Sequence, residues 1–74
     1  MDNMKLAEIM QRTRFELGIS IMEAARMCNV SRETYKTVEE GSTRVLHTST
    51  VFAICKGLGM SYDDMCEQLG FYGE

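Results

Sequence analysis

Residues 20–41 read SIMEAARMCNVSRETYKTVEEG and hold two helix starts and two helix ends in close succession. Ser20 opens a capping-box pattern, in which a serine and a glutamate three residues later satisfy exposed amides, and predicts a short helix over residues 21–28. The asparagine that follows tolerates the left-handed backbone of a tight turn better than most residues. Ser31 can then cap a second helix over residues 32–40. Two short helices separated by about three residues predict a helix-turn-helix unit.

Three more helices are predicted on either side of this unit. Apolar residues recur at helical spacing over about residues 4–17, 49–58 and 62–69. The chain contains no proline, and no stretch alternates strictly enough to predict a strand. Five short helices with short connections favour a single compact all-α domain over residues 1–74.

Length and charge narrow the classes of function. A domain of 74 residues buries only about 60% of its unfolded surface, so we expect no deep catalytic cavity and no enzyme. The net charge of −3 argues against nucleic-acid binding at first sight. However, residues 1–58 hold eight basic and seven acidic side chains, whereas the last sixteen residues hold four acidic and no basic ones. The negative charge is therefore concentrated at one end.

The chemistry-bearing residues give no sign of a metal, a cofactor or catalysis. The three cysteines are an odd number without a C-x-x-C pair, which is typical of a reducing compartment and of small buried hydrophobic side chains. His47 is the only histidine and has no cysteine or serine at a catalytic spacing, so we interpret it as a surface residue. No segment has the pattern of a signal peptide or a membrane span, and we therefore expect a cytoplasmic protein.

An ordered set of motifs resembles the helix-turn-helix domain of the Cro/CI-like (XRE) transcriptional regulators. The resemblance covers about residues 4–69. It is carried by Leu17-Gly18-Ile19-Ser20, Glu23-Ala24-Ala25, Asn29-Val30-Ser31-Arg32-Glu33-Thr34-Tyr35, Val38-Glu39-Glu40-Gly41 and Leu58-Gly59-Met60-Ser61-Tyr62-Asp63-Asp64-Met65. It implies a five-helix, lambda-repressor-like fold. It also implies a small sequence-specific DNA-binding regulator of prokaryotic or phage origin and repressor type, which binds a double-stranded operator as a homodimer. Because the family includes activators and antitoxins, the sign of regulation stays open.

The resemblance also implies roles for individual residues. The helix over residues 32–40 would enter the major groove. The residues at base-reading positions are Arg32, Glu33, Lys36 and Thr37. The residues at phosphate-contacting positions are Ser31, Ser42, Thr43 and Arg44. Arg14 and Glu39 match a pair that forms a buried ion pair in many relatives, and their implied role is structural.

The second predicted helix departs from the family pattern. Ile21 and Met22 stand where a phosphate-contacting glutamine and an acidic residue are usual, and Met27 replaces a polar residue. Ala24 and Cys28, by contrast, are smaller than the leucines common at their positions. Either the helix is rotated or its methionines fold back into that space, or an exposed apolar strip marks a protein-binding surface.

That second possibility supports an alternative function. A helix-turn-helix domain can be repurposed to bind protein, as an inhibitor, antirepressor or antitoxin-like module, and fold alone does not separate this function from DNA binding. The C-terminal end holds more apolar bulk than a closing helix needs, so it either forms a homodimer surface or packs into the core of its own chain. Its apolar residues are Met60, Tyr62, Met65, Leu69, Phe71 and Tyr72.

Overall fold

A computed structural model of the protein describes residues 3–42 and 47–69. Within these residues the chain forms five helices and no strand, as the sequence predicts. They are α1 (Asn3–Leu17), α2 (Ile21–Met27), α3 (Arg32–Glu39), α4 (Thr48–Leu58) and α5 (Tyr62–Leu69). None of the described helices is both long enough and apolar enough to cross a membrane.

Serine side chains cap the starts of three helices. The Oγ of Ser20 accepts a hydrogen bond from the backbone N–H of Glu23 at 3.1 Å, at the start of α2. At the start of α3, Oγ of Ser31 accepts from the backbone N–H of Thr34 at 3.1 Å. At the start of α5, Oγ of Ser61 accepts from the backbone N–H of Asp64 at 3.3 Å. Each cap satisfies an amide that has no partner within its helix, which explains why the helices start where the sequence predicts.

Helix boundaries differ from the prediction by one residue at four places. Helices α1 and α4 each begin one residue earlier than expected. Helices α2 and α3 end one residue earlier, because Cys28 and Glu40 are C-cap residues at the ends of these helices. Both C-cap residues keep right-handed helical backbone angles, so the helical spacing of side chains continues to Cys28 and to Glu40.

The turn between α2 and α3 has the left-handed residue that the sequence predicts. Asn29 has a φ of 59°, the only positive φ among the described non-glycine residues. The amides of Asn29 and Val30 donate to the carbonyls of Arg26 and Ala25, each at 3.1 Å. These bonds fix the direction in which α3 leaves α2.

One hydrophobic core joins all five helices. Helix α3 packs against α1 and α2, and α4 packs against α2 and α5. The core residues are Leu6, Ile9, Met10, Ala24, Ala25, Cys28, Tyr35, Val38, Val51, Ile54, Cys55, Leu58, Met65 and Leu69.

Small residues on α2 allow α4 to approach closely. Ala24 and Cys28 are both buried. A Cβ added to Gly57 of α4 would lie 2.5 Å from the Cα of Cys28. The close approach of α4 fills the space that larger side chains would take. The methionines of α2 do not fold back into it, because Met22 and Met27 remain 58% and 44% exposed.

Candidate nucleic-acid interface

The four side chains expected to read bases share the outward face of α3. Arg32 and Glu33 are exposed in its first turn, and Lys36 and Thr37 are half-buried one turn later. Residues three and four apart on a helix are neighbours, so the four form one continuous surface. The inward face of α3 is buried and consists of Tyr35, Val38 and Glu39.

An ion pair ties α3 to α1. The Nε of Arg14 lies 3.0 and 3.2 Å from the two carboxylate oxygens of Glu39, and its Nη2 lies 3.0 Å from Oε2. The remaining Arg14 nitrogen, Nη1, donates to the carbonyl of Ile19 at 3.0 Å. The hydrogen bond to the carboxylate raises the pKa of Arg14, even though burial opposes this effect. The structure thus contains the ion pair that the resemblance implies, and this pair links α3 to α1.

The same end of α3 has a second link to α1 and an unpaired polar group. Gln11 donates from Nε2 to the carbonyl of Glu39 at 2.8 Å, which satisfies a carbonyl at the helix end. Tyr35 is fully buried, and its hydroxyl has no hydrogen-bond partner among the described residues. Burial, together with the nearby Glu39 carboxylate, raises the pKa of Tyr35. Tyr35 therefore acts as a neutral core side chain.

The ion pair changes the charge that α3 presents to solvent. The two ion pairs found among the described residues are Arg14 with Glu39 and, at 3.8 Å on the exposed side of α2, Arg26 with Glu23. Arg32 and Lys36 belong to neither pair. With Glu39 neutralised, the solvent-facing charges at α3 are two basic side chains and the acidic Glu33 and Glu40.

Two of the predicted phosphate-contacting residues are exposed serines with intrachain hydrogen bonds. Ser31 donates from Oγ to Oγ1 of Thr34 at 2.9 Å, and Ser42 donates from Oγ to the carbonyl of Thr37 at 3.3 Å. A hydroxyl has one proton, so each serine must rotate before it can donate to a phosphate. Thr43 and Arg44, the other two predicted phosphate contacts, lie outside the described residues.

A shallow depression of about 220 Å³ lies on the recognition face of α3. Glu33, Thr34, Thr37 and Val38 line it. Sequence reasoning singled out Glu33 and Thr37 but missed the other two residues. The i to i+4 spacing of Thr34 and Val38 places them beside each other, although spacing alone does not reveal a concave surface.

The apolar residues of α2 divide between core and surface. Ile21 is half-buried and packs against the core, whereas Met22 and Met27 are exposed. Met27 also lines a groove of about 540 Å³ between α2 and α4, together with Phe52 and Lys56. The predicted strip is therefore exposed at its two methionines only.

Two of the C-terminal residues considered for a homodimer surface lie in the core. Met65 and Leu69 are buried at 2% and 4% exposure, so for these two residues the core interpretation is confirmed and the homodimer interpretation is wrong. They belong to the stripe of α5 that packs against α4. Tyr62 is half-buried, and its ring meets that of Phe52 edge-to-face, with ring centres 5.3 Å apart. Phe71 and Tyr72 lie outside the described residues.

The described part of the chain brings together no group of three or more histidine, cysteine, aspartate or glutamate side chains that could hold a metal ion. Cys28 and Cys55 are buried and free, and burial raises the pKa of each thiol to about 11. His47 is exposed at the start of α4. The chemical groups that remain accessible on α3 suit hydrogen bonding to bases and phosphates.

A protein-family model described as a helix-turn-helix domain matches residues 5–69. The match spans all of α2 to α5 and nearly all of α1. Searches of curated proteins and of solved structures found no significant match.

Proposed function

The chain belongs to the helix-turn-helix domain family of XRE/Cro type, and we propose that it is a small sequence-specific DNA-binding transcriptional regulator. In this proposal α3 lies in the major groove and α2 crosses the phosphate backbone. The observation that carries the proposal is the outward face of α3, where Arg32 and Lys36 stand side by side outside both observed ion pairs. The protein acts as a repressor in a prokaryotic or phage-infected cytoplasm, where occupying a promoter blocks polymerase.

Each residue of this face has a chemical role. Arg32, in the first turn, is placed for a bidentate bond to guanine O6 and N7, the most frequent specific contact in the major groove. Lys36 lies one turn further along and reaches a base or a phosphate. Ser31 and Ser42 flank the two ends of α3 and position it against the backbone, after their hydroxyls leave their intrachain partners.

The balance of charge on this face favours a dimer. Two basic and two acidic side chains at α3 give little net attraction to phosphate, so one copy binds DNA weakly. Two copies on half-sites about 34 Å apart combine their affinities and read a palindromic operator. Because Met65 and Leu69 are used in the core, the dimer contact falls to other residues, for which half-buried Tyr62 and exposed Phe52 are candidates.

The test is selection of bound sequences from random duplex DNA at about 50 mM salt, where phosphate contacts are strong. The native chain should enrich a palindromic site. Replacing both Arg32 and Lys36 by alanine should weaken binding to that site by about 2–6 kcal/mol, if each makes a good base contact. The matched control is Arg12→Ala with Lys56→Ala, which removes the same charge from exposed positions on α1 and α4 and should cost much less. No enriched site and no salt-dependent binding would refute the proposal.

Exposed apolar side chains favour a second candidate function, the binding of a protein partner. Met22 and Met27 are exposed, and Met27 shares its groove with Phe52, which is 51% exposed. Exposed apolar side chains grouped around a groove mark an interaction surface more often than scattered ones do. In this function the domain is an inhibitor or antitoxin-like module, and the DNA selection yields no site.

The two candidates respond differently to substitution. For a protein-binding module, Met22→Glu with Met27→Glu should abolish partner capture while helicity stays unchanged, since both side chains are exposed. The Arg32 and Lys36 alanine variant should capture the partner normally. Undiminished capture by the glutamate variant would exclude this surface as the interface.

A further inference from the structure

The depression on α3 differs from the rest of the recognition face in what it offers to a ligand. Its lining residues are Glu33, Thr34, Thr37 and Val38, and its volume is about 220 Å³. Val38 is buried and contributes only apolar surface. The polarity of the depression therefore depends on the two threonines and the glutamate, and on which of their polar atoms already have hydrogen bonds within the chain.

Both threonine hydroxyls are already bound within the chain. Thr37 donates from Oγ1 to the backbone carbonyl of Glu33 at 2.8 Å, so it has no proton left for a ligand. Oγ1 of Thr34 accepts the hydroxyl proton of Ser31 at 2.9 Å. Thr34 keeps its own proton and can still donate it, whereas Thr37 offers a ligand the lone pairs of its oxygen and its methyl group. Val38 adds further apolar surface.

The carboxylate of Glu33 is the charged hydrogen-bond acceptor of the depression. It is exposed and takes part in neither of the ion pairs found among the described residues. An ionised carboxylate only accepts hydrogen bonds, so it seeks a donor. In the major groove cytosine presents its N4 amino group, whereas the N6 amino group of adenine lies beside the acceptor N7, which repels a carboxylate. Glu33 therefore favours cytosine.

From this combination we propose that the depression recognises an amino donor next to a methyl group on the major-groove edge of DNA. Two sources present that chemistry: 5-methylcytosine, which carries both groups on one base, and a cytosine beside a thymine, whose C5-methyl lies in the same groove. Glu33 accepts from the amino group, and the methyl group sits against Thr37, Thr34 and Val38. This inference rests on the proposed DNA-binding function and adds the base pair that α3 discriminates.

The expected effect of the methyl group follows from its burial. Removing one methyl-sized group from water is worth a change of about fourfold in affinity. Thr37→Ser deletes the methyl group of the side chain but keeps the hydroxyl that donates to Glu33. The serine variant should therefore lose most of the response to a methyl group on the base. Thr48→Ser, at an exposed position on α4, is the matched control and should respond as the native chain does.

The experiment uses the duplex that the native protein selects, as a series of synthetic variants. In one arm each cytosine of a half-site is replaced in turn by 5-methylcytosine, and in the other each thymine is replaced by uracil, which lacks the methyl group. A gain of about fourfold on methylation at one position identifies 5-methylcytosine as the source. A loss of about fourfold on uracil substitution next to a cytosine identifies the thymine.

The outcomes separate this inference from the function on which it rests. Tight binding that changes in neither arm overturns the methyl pocket and leaves the DNA-binding function standing. A methyl response that persists in Thr37→Ser also overturns the assignment to this depression. Failure to select any duplex overturns the proposed function, and the inference with it.

Discussion

Replacing Gly57 by alanine tests the packing of α2 against α4, because two physical effects act in opposite directions. Alanine in the interior of a helix is favoured over glycine by about 0.8–1 kcal/mol. In this fold, however, the new Cβ would lie 2.5 Å from the Cα of Cys28 and 2.7 Å from its backbone nitrogen and its Sγ. Carbon atoms pack best at about 3.5–4.0 Å, so the two helices must separate by about 1 Å.

The magnitude follows from which atoms are in the way. Two of the three nearest atoms belong to the backbone of Cys28, and backbone does not swing aside as a flexible side chain does. Overpacking a core costs about 1–3 kcal/mol, and the rigid obstacle places Gly57→Ala near the upper end. After subtraction of the gain in helix propensity, we expect the free energy of unfolding to fall by about 2 kcal/mol. In a domain of this size that lowers the Tm by roughly 8–16 °C.

Thermal and urea unfolding followed by far-UV circular dichroism measure this change. Lys56→Ala is the matched control, because Lys56 is exposed in the same helix and has a helix propensity close to that of alanine. Its Tm should stay close to the native value, since surface substitutions of this kind change stability by about 0.5 kcal/mol or less. A Tm of Gly57→Ala above that of the native protein would refute the close approach of α2 and α4.

Three further predictions concern buried polar groups. Arg14→Ala should lower the free energy of unfolding by about 3–5 kcal/mol in urea titrations, because it leaves a buried carboxylate unpaired. Arg26→Ala is the control and should lower it by only about 0–0.5 kcal/mol, because its ion pair is exposed. Equal losses in the two variants would contradict this prediction. Tyr35→Phe removes a buried hydroxyl without a partner among the described residues, so stability should stay the same or rise by about 1 kcal/mol, and a clear fall would show that the hydroxyl is bonded. Burial raises the pKa of Cys28 from 9.0 to about 11, so the stabilisation from its neutral thiol is complete below pH 9 and is lost as the pH rises towards 11. Between pH 8 and pH 10.5, the free energy of unfolding measured in urea should therefore fall less for Cys28→Ala than for the native chain. Cys66→Ala, at a half-buried position, is the control and should behave as the native chain does.

Local signals in the sequence predicted the helices and their order. Ser20 and Ser31 cap helices within three residues of themselves, and Asn29 turns the chain through its own backbone angle. Such effects need no knowledge of the rest of the fold, so a sequence reveals them directly. The pairing of Arg14 with Glu39 spans 25 residues, and only the resemblance to a known family implied it.

Features that depend on two distant segments were not predicted correctly or were missed. Periodicity placed Met65 and Leu69 on one stripe of α5, but it does not tell whether a stripe faces its own core or a partner. The small residues of α2 were noted, yet the glycine on α4 that meets Cys28 lies 29 positions away. The depression on α3 is local, since its lining residues all lie within residues 33–38, and it was missed because helical spacing does not reveal a concave surface.

The position of each charge on α3 matters more for the proposed function than the net charge of the chain. The helix and its C-cap carry two basic and three acidic side chains, a balance that repels phosphate. Pairing Glu39 with Arg14 removes one acidic charge from the exposed surface, and the remainder is near neutral. A near-neutral face attracts phosphates weakly, so it reduces binding to non-specific DNA. Base contacts then account for a larger share of the affinity, and Glu33 in particular favours one base edge while it repels the backbone on either side. We therefore expect a high ratio of specific to non-specific affinity rather than tight binding to all DNA.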